Sequence, residues 1–268
     1  MIPPLPEQRA IARILRAVQD ATEARRHELA LDRERKATLL QHLLTHGTRQ
    51  TPTVETEIGV VPRDWRLVRL GALGSIQAGG TPSRNRAEFF GGPINWVKTL
   101  DLNDSVVTST QESITEAGLH SIGGRVRPQG TVMVAMYGGA GTIGKSGILE
   151  APAATNQAVC CMELNHQICV PKFVLHHLVR NRSTWMRRAI GTRKDPNISK
   201  GIVESERLAL PSIEEQQEIT AILDACDAKS VALQREIKLH EEFFSAMLEE
   251  LMSGHLSALP LMEEASAA

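Results

Sequence analysis

A segment near the start of the chain returns near its end. "PEQRAIARILRAVQDA" is repeated as "EEQQEITAILDACDAK" at an offset of 208 residues, and identical residues recur at this offset as far as Leu43 and Leu251. Both copies follow a proline-rich entry, carry acidic residues in the first turn, and stop at Gly47 or Gly254, which is the pattern of a helix. Each copy is predicted to be a helix of about 40 residues, roughly 60 Å long.

The second copy has the pattern of a helix that packs against another helix. Its apolar residues occupy two interleaved rows with a period of seven, Ile219, Cys226, Leu233 and Met247 in one and Leu223, Ile237, Phe244 and Leu251 in the other. Such a seam buries only one stripe, so a partner helix is needed. The first copy has a similar seam, which Arg25, Asp32 and Lys36 interrupt.

The charge distribution favours pairing of the two copies. Residues 1–50 carry +3, residues 51–212 carry +5 and residues 213–268 carry −9, within a net charge of −1. Because the two copies attract each other, they are predicted to form an antiparallel coiled coil. Two helices packed separately on the intervening segment remain the alternative.

The segment between the copies has the pattern of a mixed domain. Short β-rich runs such as "INWVKTLDL", "TVMVAMYG" and "AVCCMELN" alternate with Gly, Pro and Asn turns, as strands and their connections do. A helix is predicted from Pro171 to Gly191, and Trp65 and Trp96 are predicted to lie in the core.

The predicted fold class is α+β, with one mixed α/β domain flanked by two long α-helices that form an antiparallel coiled-coil spacer. The predicted segments are a helix in 1–50, the domain in 51–212, a helix in 213–256 and a disordered tail in 257–268. The many glycine-rich connections of the domain leave backbone near the surface, where binding groups usually lie.

The stretch "GAGTIGKS", Gly139–Ser146, matches the pattern of a phosphate-binding loop. In such a loop the Lys contacts the β/γ-phosphates, the Ser binds Mg²⁺, and a helix begins at the Lys. Here Gly147 and Pro152 follow closely, and the next apolar run arrives too soon for a parallel crossover. A tight β-turn that presents Lys145 is favoured, and a nucleotide-binding enzyme is the alternative.

The composition also bears on whether the chain contains a metal site, a catalytic site or a membrane span. The four cysteines lack zinc or disulfide spacing and are predicted to be buried free thiols. The nine histidines show no ligand spacing and no catalytic motif is present, so we expect no catalytic residue, no metal and no cofactor. Neither a membrane span nor a signal peptide is recognisable, so a cytoplasmic protein without membrane contact is expected.

Six fragments of the intervening segment resemble, in their order and spacing, the target-recognition domain of type I restriction-modification specificity subunits. They are "IGVVPRDWRLVRLGAL", "GGTPS", "INWVKTLDL", "PQGTVMVAM", "GTIGK" and "TNQA". The flanking "PLPEQRAIARIL" and "LPSIEEQQEITAIL" resemble the paired helical spacers of that family. The resemblance runs along nearly the whole chain.

The resemblance implies a non-catalytic subunit that recognises double-stranded DNA, while a DNA methyltransferase (modification) subunit and a restriction subunit carry out the reactions. A full specificity subunit has two recognition domains, whereas this chain has one. It is therefore expected to read one half of a split site, through self-association or a second specificity polypeptide, unless it is non-functional. A coiled-coil scaffold without DNA function is the remaining alternative.

DNA-binding residues are expected on the turns, because phosphate contacts give position and base-edge contacts give sequence. The candidates are Thr81, Ser83, Arg84, Asn85, Lys98, Thr99, Tyr137, Lys145, Arg193, Lys194, Asn197 and Lys200. Arg84 and Arg193 suit guanine and Asn85 suits adenine, although each residue alone is equally a solvated surface residue. A basic stretch suits phosphates, with Arg180, Arg182, Arg187 and Arg188.

Overall fold

The computed structural model describes residues 3–138, 141–191 and 196–260. Its helices are α1 (Leu5–His46), α2 (Glu116–Ser121), α3 (Pro171–Arg180), α4 (Arg182–Arg188), α5 (Lys200–Ser205) and α6 (Ile213–Ser253). Its strands are β1 (Thr53–Thr56), β2 (Gly59–Pro62), β3 (Arg66–Arg69), β4 (Gly74–Ala78), β5 (Phe90–Val97), β6 (Ser105–Val107), β7 (Ser113–Ile114), β8 (Val132–Ala135), β9 (Ser146–Leu149), β10 (Ala154–Thr155), β11 (Val159–Leu164), β12 (Ile190–Gly191), β13 (Pro196–Asn197) and β14 (Arg207–Leu210).

Both copies of the repeat form long helices, and this prediction is confirmed. α1 has 42 residues and α6 has 41, so each is roughly 60 Å long. Gly47 follows α1 with a φ of 72° and Gly254 follows α6 with a φ of 78°. This left-handed conformation favours glycine and ends a helix.

The chain divides into two compact units. The first contains the described residues up to Leu39 and from Ile222 onward, and the second contains Leu40–Ala221. The end of α1 and the first turns of α6 thus belong to the second unit. In that unit Glu215 of α6 accepts the indole N–H of Trp65 at 3.1 Å.

In the first unit, α1 and α6 contact each other in opposite directions. Ile11, near the start of α1, packs against Leu251, near the end of α6. Further along α1, Asp32 accepts a hydrogen bond from the hydroxyl of Ser230 at 2.8 Å. Residues further along α1 therefore contact residues nearer the start of α6, so the two helices are antiparallel in this unit.

The polar middle of α1 is matched by polar partners on α6. Arg25 Nε lies 3.0 Å from a carboxylate oxygen of Glu236, and Lys36 is paired with Asp227. These residues interrupt the apolar seam, yet they give each helix a complementary neighbour. Exposed pairs of this kind contribute up to about 1 kcal/mol each.

Part of the predicted disordered tail is packed. Ala258 is buried in the cluster that contains Ile11 and Leu251, and its backbone N–H donates to Glu7 Oε1 at 2.6 Å. The small alanine side chain fills this apolar site, so this described part of the tail packs against α1. Residues 261–268 lie outside the described residues.

The second unit is built on a five-stranded sheet with the order β4-β11-β8-β9-β6. The β6–β9 pair is parallel and the other three pairs are antiparallel. Every residue of the central strand β8 is buried, which explains its continuous apolar sequence. A second sheet has the order β10-β5-β7, and Trp65 and Trp96 are buried as predicted.

The helix predicted from Pro171 to Gly191 is broken at Asn181. The amide of Asn181 lies 3.0 Å from His177 Nε2, and its carbonyl accepts from the backbone N–H and the hydroxyl of Thr184 at 2.9 and 2.7 Å. These local bonds close a tight turn in place of the α-helical ladder, so α3 and α4 are separate helices.

Candidate nucleic-acid interface

A glycine pair brings the first predicted turn against β5. Gly80 donates its backbone N–H to the carbonyl of Thr155 at 2.9 Å. A Cβ atom on Gly79 would lie 2.0 Å from the same oxygen, so only glycine permits this approach. The buried Trp96 donates its indole N–H to the carbonyl of Gly80 at 3.2 Å. The turn that begins at Thr81 is therefore fixed at its base.

Arg84 lies in this turn and is held on three sides. Its guanidinium carbon is 4.7 Å from the ring centroid of Phe90 and 5.2 Å from that of Trp96. Its Nη1 donates to Glu112 Oε2 at 2.6 Å. Lys98 donates from Nζ to the other carboxylate oxygen, Oε1, at 2.5 Å. One carboxylate thus joins two of the predicted DNA-binding cations.

The electrostatics of this cluster keep Glu112 ionised. The hydrogen bond from Arg84, followed by that from Lys98, lowers the pKa of Glu112 below its ordinary value. Two cations and one anion leave a net positive charge, and the side chains of Arg84 and Glu112 are 55% and 32% exposed. A positive, partly exposed cluster suits contact with a polyanion.

The "TNQA" segment connects the neighbouring turns. The Thr81 hydroxyl donates to the side-chain oxygen of Gln157. The backbone N–H of Asn156 donates to the carbonyl of Val97 at 2.9 Å, and its side-chain oxygen accepts from the backbone N–H of Ala158 at 3.2 Å. Asn156 and Gln157 therefore hold the turns after β4 and β5 together.

Two backbone hydrogen bonds extend this region to further predicted residues. Met136 donates to the carbonyl of Ala158 at 2.8 Å, and Ile198 donates to the carbonyl of Met136 at 2.9 Å. Tyr137 follows Met136 with 43% of its surface exposed, and the half-buried Asn197 precedes Ile198. Tyr137 thus follows a residue that is bonded to the "TNQA" segment, and Asn197 precedes a residue that is bonded to Met136.

Residues 141–146 of the "GAGTIGKS" stretch lie between the antiparallel strands β8 and β9 and end in the first residue of β9. Gly144 donates to the carbonyl of Ala135 at 3.0 Å, and Ala135 donates to the carbonyl of Lys145 at 2.8 Å. Ser146 is fully buried in β9, so its hydroxyl is not available to Mg²⁺, and a strand begins where a phosphate loop requires a helix. The nucleotide-binding alternative is wrong for the described part of the motif, and residues 139–140 lie outside it.

The remaining predicted residues differ in exposure. Ser83 and Asn85 are exposed in the turn after Thr81, whereas Thr99 and Lys145 are half-buried. Within the part of the chain that the structure describes, Lys145 forms no ion pair.

The side chain of Lys200 contacts other residues of the protein. Its Nζ lies 3.0 Å from Glu204 and donates to the carbonyl of Ile76 at 3.4 Å. Arg193 and Lys194 lie outside the described residues, so their predicted role stays a prediction.

The basic stretch expected to contact phosphates is largely engaged within the protein. Arg180 donates to three acceptors in the last turns of α1 at 2.8–2.9 Å. Arg182 donates to Asp104 at 2.7 Å, and Arg188 is paired with Glu206. These three side chains hold α1, α3 and α4 in place, because their partners belong to distant parts of the second unit.

Glu206 is the most enclosed acceptor of this group. Its side chain is 4% exposed, and Oε1 lies 3.4 Å from His177 Nε2. Burial raises the pKa of Glu206. The hydrogen bond from His177 and the charge of Arg188 lower it by more than burial raises it, so the pKa lies below the ordinary value. In contrast, Arg187 is exposed and has no ion pair among the described residues.

Three of the four cysteines are buried, as predicted, and Cys226 is half-buried. Burial raises the pKa of Cys160 and of Cys169 to about 12. Within the described ranges, no group of three or more His, Cys, Asp or Glu side chains is placed to hold a metal ion. No helix in those ranges combines the length and the apolar character that a membrane crossing requires.

Two acidic residues of this region were not predicted. Glu112 joins Arg84 from 28 residues along the chain. Asp104 accepts from the backbone N–H of Ser146 at 2.8 Å and also binds Arg182. No local pattern distinguishes these carboxylates from other surface acids, since their partners come close only in the folded chain.

The sequence profile of the type I restriction modification DNA specificity domain matches residues 62–240, which is more than half of the chain. The chain belongs to this specificity family. The match includes the turns after β4 and β5, the "TNQA" segment and the first part of α6.

Individual specificity subunits match the chain at lower identity. The MjaIX specificity subunit of Methanocaldococcus jannaschii is 27% identical over 183 residues, which cover 66% of this chain and 41% of the relative. The EcoR124I/EcoR124II specificity subunit of Escherichia coli is 29% identical over 197 residues, which cover 71% of this chain and 48% of the relative. The chain spans about half the length of these relatives.

Solved structures of the family share the fold. The HsdS subunit from Thermoanaerobacter tengcongensis matches with a TM-score of 0.62 at 19% identity, over 95% of this chain and 60% of that chain. The S subunit from M. genitalium matches with a TM-score of 0.60 at 13% identity, over 92% of this chain and 61% of that chain. The mixed α+β class is therefore confirmed.

Proposed function

We propose that this chain is the DNA sequence-specificity subunit of a type I restriction-modification complex and reads one half of a split double-stranded site. The observation that carries the proposal is the meeting of Arg84, Lys98 and the "TNQA" segment within a domain of the specificity family. Hydroxyl, amide and cationic side chains at these turns supply the donors and acceptors that base edges require. The proposed DNA-binding residues are Thr81, Ser83, Arg84, Asn85, Lys98, Thr99, Tyr137, Lys145, Arg193, Lys194, Asn197 and Lys200.

The two long helices act as an antiparallel coiled-coil spacer in this proposal. Residues 51–212 form the target-recognition domain, and residues 1–50 and 213–256 form the spacer that flanks it. The opposite direction of the α1–α6 contacts supports this assignment. A rigid spacer of roughly 60 Å sets the distance between two half-sites.

The proposed partners are double-stranded DNA, the DNA methyltransferase (modification) subunit and the restriction subunit. The spacer docks the methyltransferase subunits. The chain spans about half the length of its curated relatives. The further proposed partner is a second copy of the chain or a second specificity polypeptide, which reads the other half-site. The subunit itself is non-catalytic, uses no cofactor and works in the cytoplasm without membrane contact.

A selection from random duplexes tests this proposal. The chain is purified together with its methyltransferase subunit, and bound DNA is recovered and sequenced. We expect enrichment of a split motif, together with an affinity that falls steeply between 50 and 200 mM salt because phosphate contacts release counterions. The double variant Arg84→Ala, Lys98→Ala should weaken the enrichment.

The matched control is Arg63→Ala, Arg69→Ala, which removes the same charge from two exposed arginines outside these turns. This control should retain the wild-type motif. Recovery of duplexes without sequence preference, or an equal loss in both double variants, would contradict the proposal. The double variant Arg84→Ala, Lys98→Ala should retain the wild-type unfolding temperature, which separates loss of recognition from loss of folding.

A further inference from the structure

The carboxylate of Glu112 lies among the turns that carry the proposed DNA-binding residues. The backbone carbonyl of Glu112 accepts from the N–H of Trp96 at 3.1 Å and from the hydroxyl of Thr110 at 2.8 Å. Its backbone is thus fixed beside β5, next to a fully buried tryptophan. The position of the carboxylate is set by the core rather than by a free loop.

The carboxylate of Glu112 has an open acceptor position. Oε1 accepts from Lys98 at 2.5 Å and from Arg84 Nη2 at 3.4 Å, while among the described residues Oε2 accepts only from Arg84 Nη1 at 2.6 Å. An ionised carboxylate offers about four lone-pair sites. One site on Oε2 is therefore unused, and the side chain is 32% exposed.

The residues around Glu112 also reduce the electrostatic repulsion between its carboxylate and the DNA phosphates. An isolated anion is repelled by the phosphates, but here two cations compensate one negative charge. The guanidinium of Arg84 donates to Glu112 from Nη1 and Nη2 and packs against the rings of Phe90 and Trp96. In this arrangement Arg84 holds the carboxylate in place, and the carboxylate keeps an open acceptor position on Oε2.

We infer that Glu112 is a specificity-determining residue, whose carboxylate accepts a hydrogen bond from an exocyclic amino group in the major groove, while Arg84 and Lys98 are positioning residues. Cytosine N4 and adenine N6 are the amino donors of that groove. This inference rests on the proposed function. It differs from the sequence-based expectation, in which Arg84 reads guanine.

The test measures binding of the complex with the methyltransferase subunit to the preferred duplex selected above. Each position of the preferred half-site is replaced in turn by the other base pairs. The wild type should prefer cytosine or adenine at one position, and Glu112→Ala should reduce that preference about tenfold, as expected for a hydrogen bond to a charged group. Arg84→Ala should reduce the preference at the same position, and Arg84→Lys should retain part of it.

Base analogues separate the two amino donors. At that position, pyrimidin-2-one replaces cytosine, or purine replaces adenine, so that only the amino group is lost. The wild type should bind the analogue about tenfold more weakly than the natural base, and Glu112→Ala should bind both equally. The analogue that produces the loss identifies the base.

The matched control is Glu88→Ala, which makes the same change as Glu112→Ala in an exposed pair with Arg86 at 2.6 Å. It should leave all base preferences unchanged. If the Glu112 variants alter affinity equally for every duplex, or if Arg84→Ala removes a preference for guanine, the inference is overturned although the proposed function stands. If the wild type has no base preference, the proposed function itself fails.

Discussion

Two groups of cations in the second unit look alike in the sequence and differ in the structure. Arg180, Arg182 and Arg188 are bound to acceptors that anchor α1, α3 and α4. Arg84 and Lys98 instead share one partly exposed carboxylate at the turns. The comparison teaches that the density of basic residues does not identify a DNA-binding surface, because the partner of each cation decides its role.

The largest expected effect concerns the first group. Glu206→Ala should lower the free energy of unfolding by about 2–3 kcal/mol, since a buried partner of Arg188 and His177 is removed. Thermal unfolding should show a decrease in Tm of about 5–10 °C. Arg187→Ala, at an exposed residue, should change the stability by less than about 0.5 kcal/mol. Equal losses of stability in Glu206→Ala and Arg187→Ala would contradict the structural role given to the pair of Arg188 and Glu206.

Arg180→Ala should have the next largest effect. Loss of its three hydrogen bonds to the end of α1 should cost about 1–2 kcal/mol of unfolding free energy, measured by urea denaturation. The base preferences of the complex should be unchanged. A change in the selected DNA motif with unchanged stability would instead place Arg180 at the interface.

Arg84→Ala should show the opposite behaviour. Its pair with Glu112 is partly exposed, so stability should change by no more than about 1 kcal/mol. Discrimination at one base pair should fall by about 1 kcal/mol, measured with single-base variants of the preferred duplex. A large decrease in Tm without loss of discrimination would assign Arg84 to the first group.

The smallest effect is a pH dependence. Because the pKa of Glu206 lies below its ordinary value of 4.5 in the folded state, its contribution to stability is present above about pH 4.5 and is lost as the pH falls through the folded value. The difference in unfolding free energy between wild type and Glu206→Gln should therefore shrink on acidification. A difference in unfolding free energy that grows below pH 4.5 would show that the pKa of Glu206 is raised in the folded state and not lowered.

The sequence predicts the elements whose signals are local. The ends of α1 and α6 follow from Gly47 and Gly254, and the buried strand β8 follows from its apolar run. The turns of the candidate site follow from their Gly, Pro and Asn residues. Each of these signals lies within a few positions of the feature that it predicts.

The pairing of side chains could not be predicted in the same way. Glu112 meets Arg84, and Asp104 meets Arg182 from 78 residues away, only after the strands have formed. The break at Asn181 depends on which side chain its amide reaches, and a single sequence does not show this. The internal partners of Arg180, Arg182 and Arg188 were therefore not predicted.

The most direct test of the account is methylome sequencing of cells that carry this chain and its methyltransferase subunit, as wild type and as Glu112→Ala. The account predicts a split adenine-methylation motif for the wild type and relaxed specificity at one position of a half-site for the variant. Methylation without a sequence motif, or the same motif in both strains, would contradict the claim that the turns around Glu112 read the DNA.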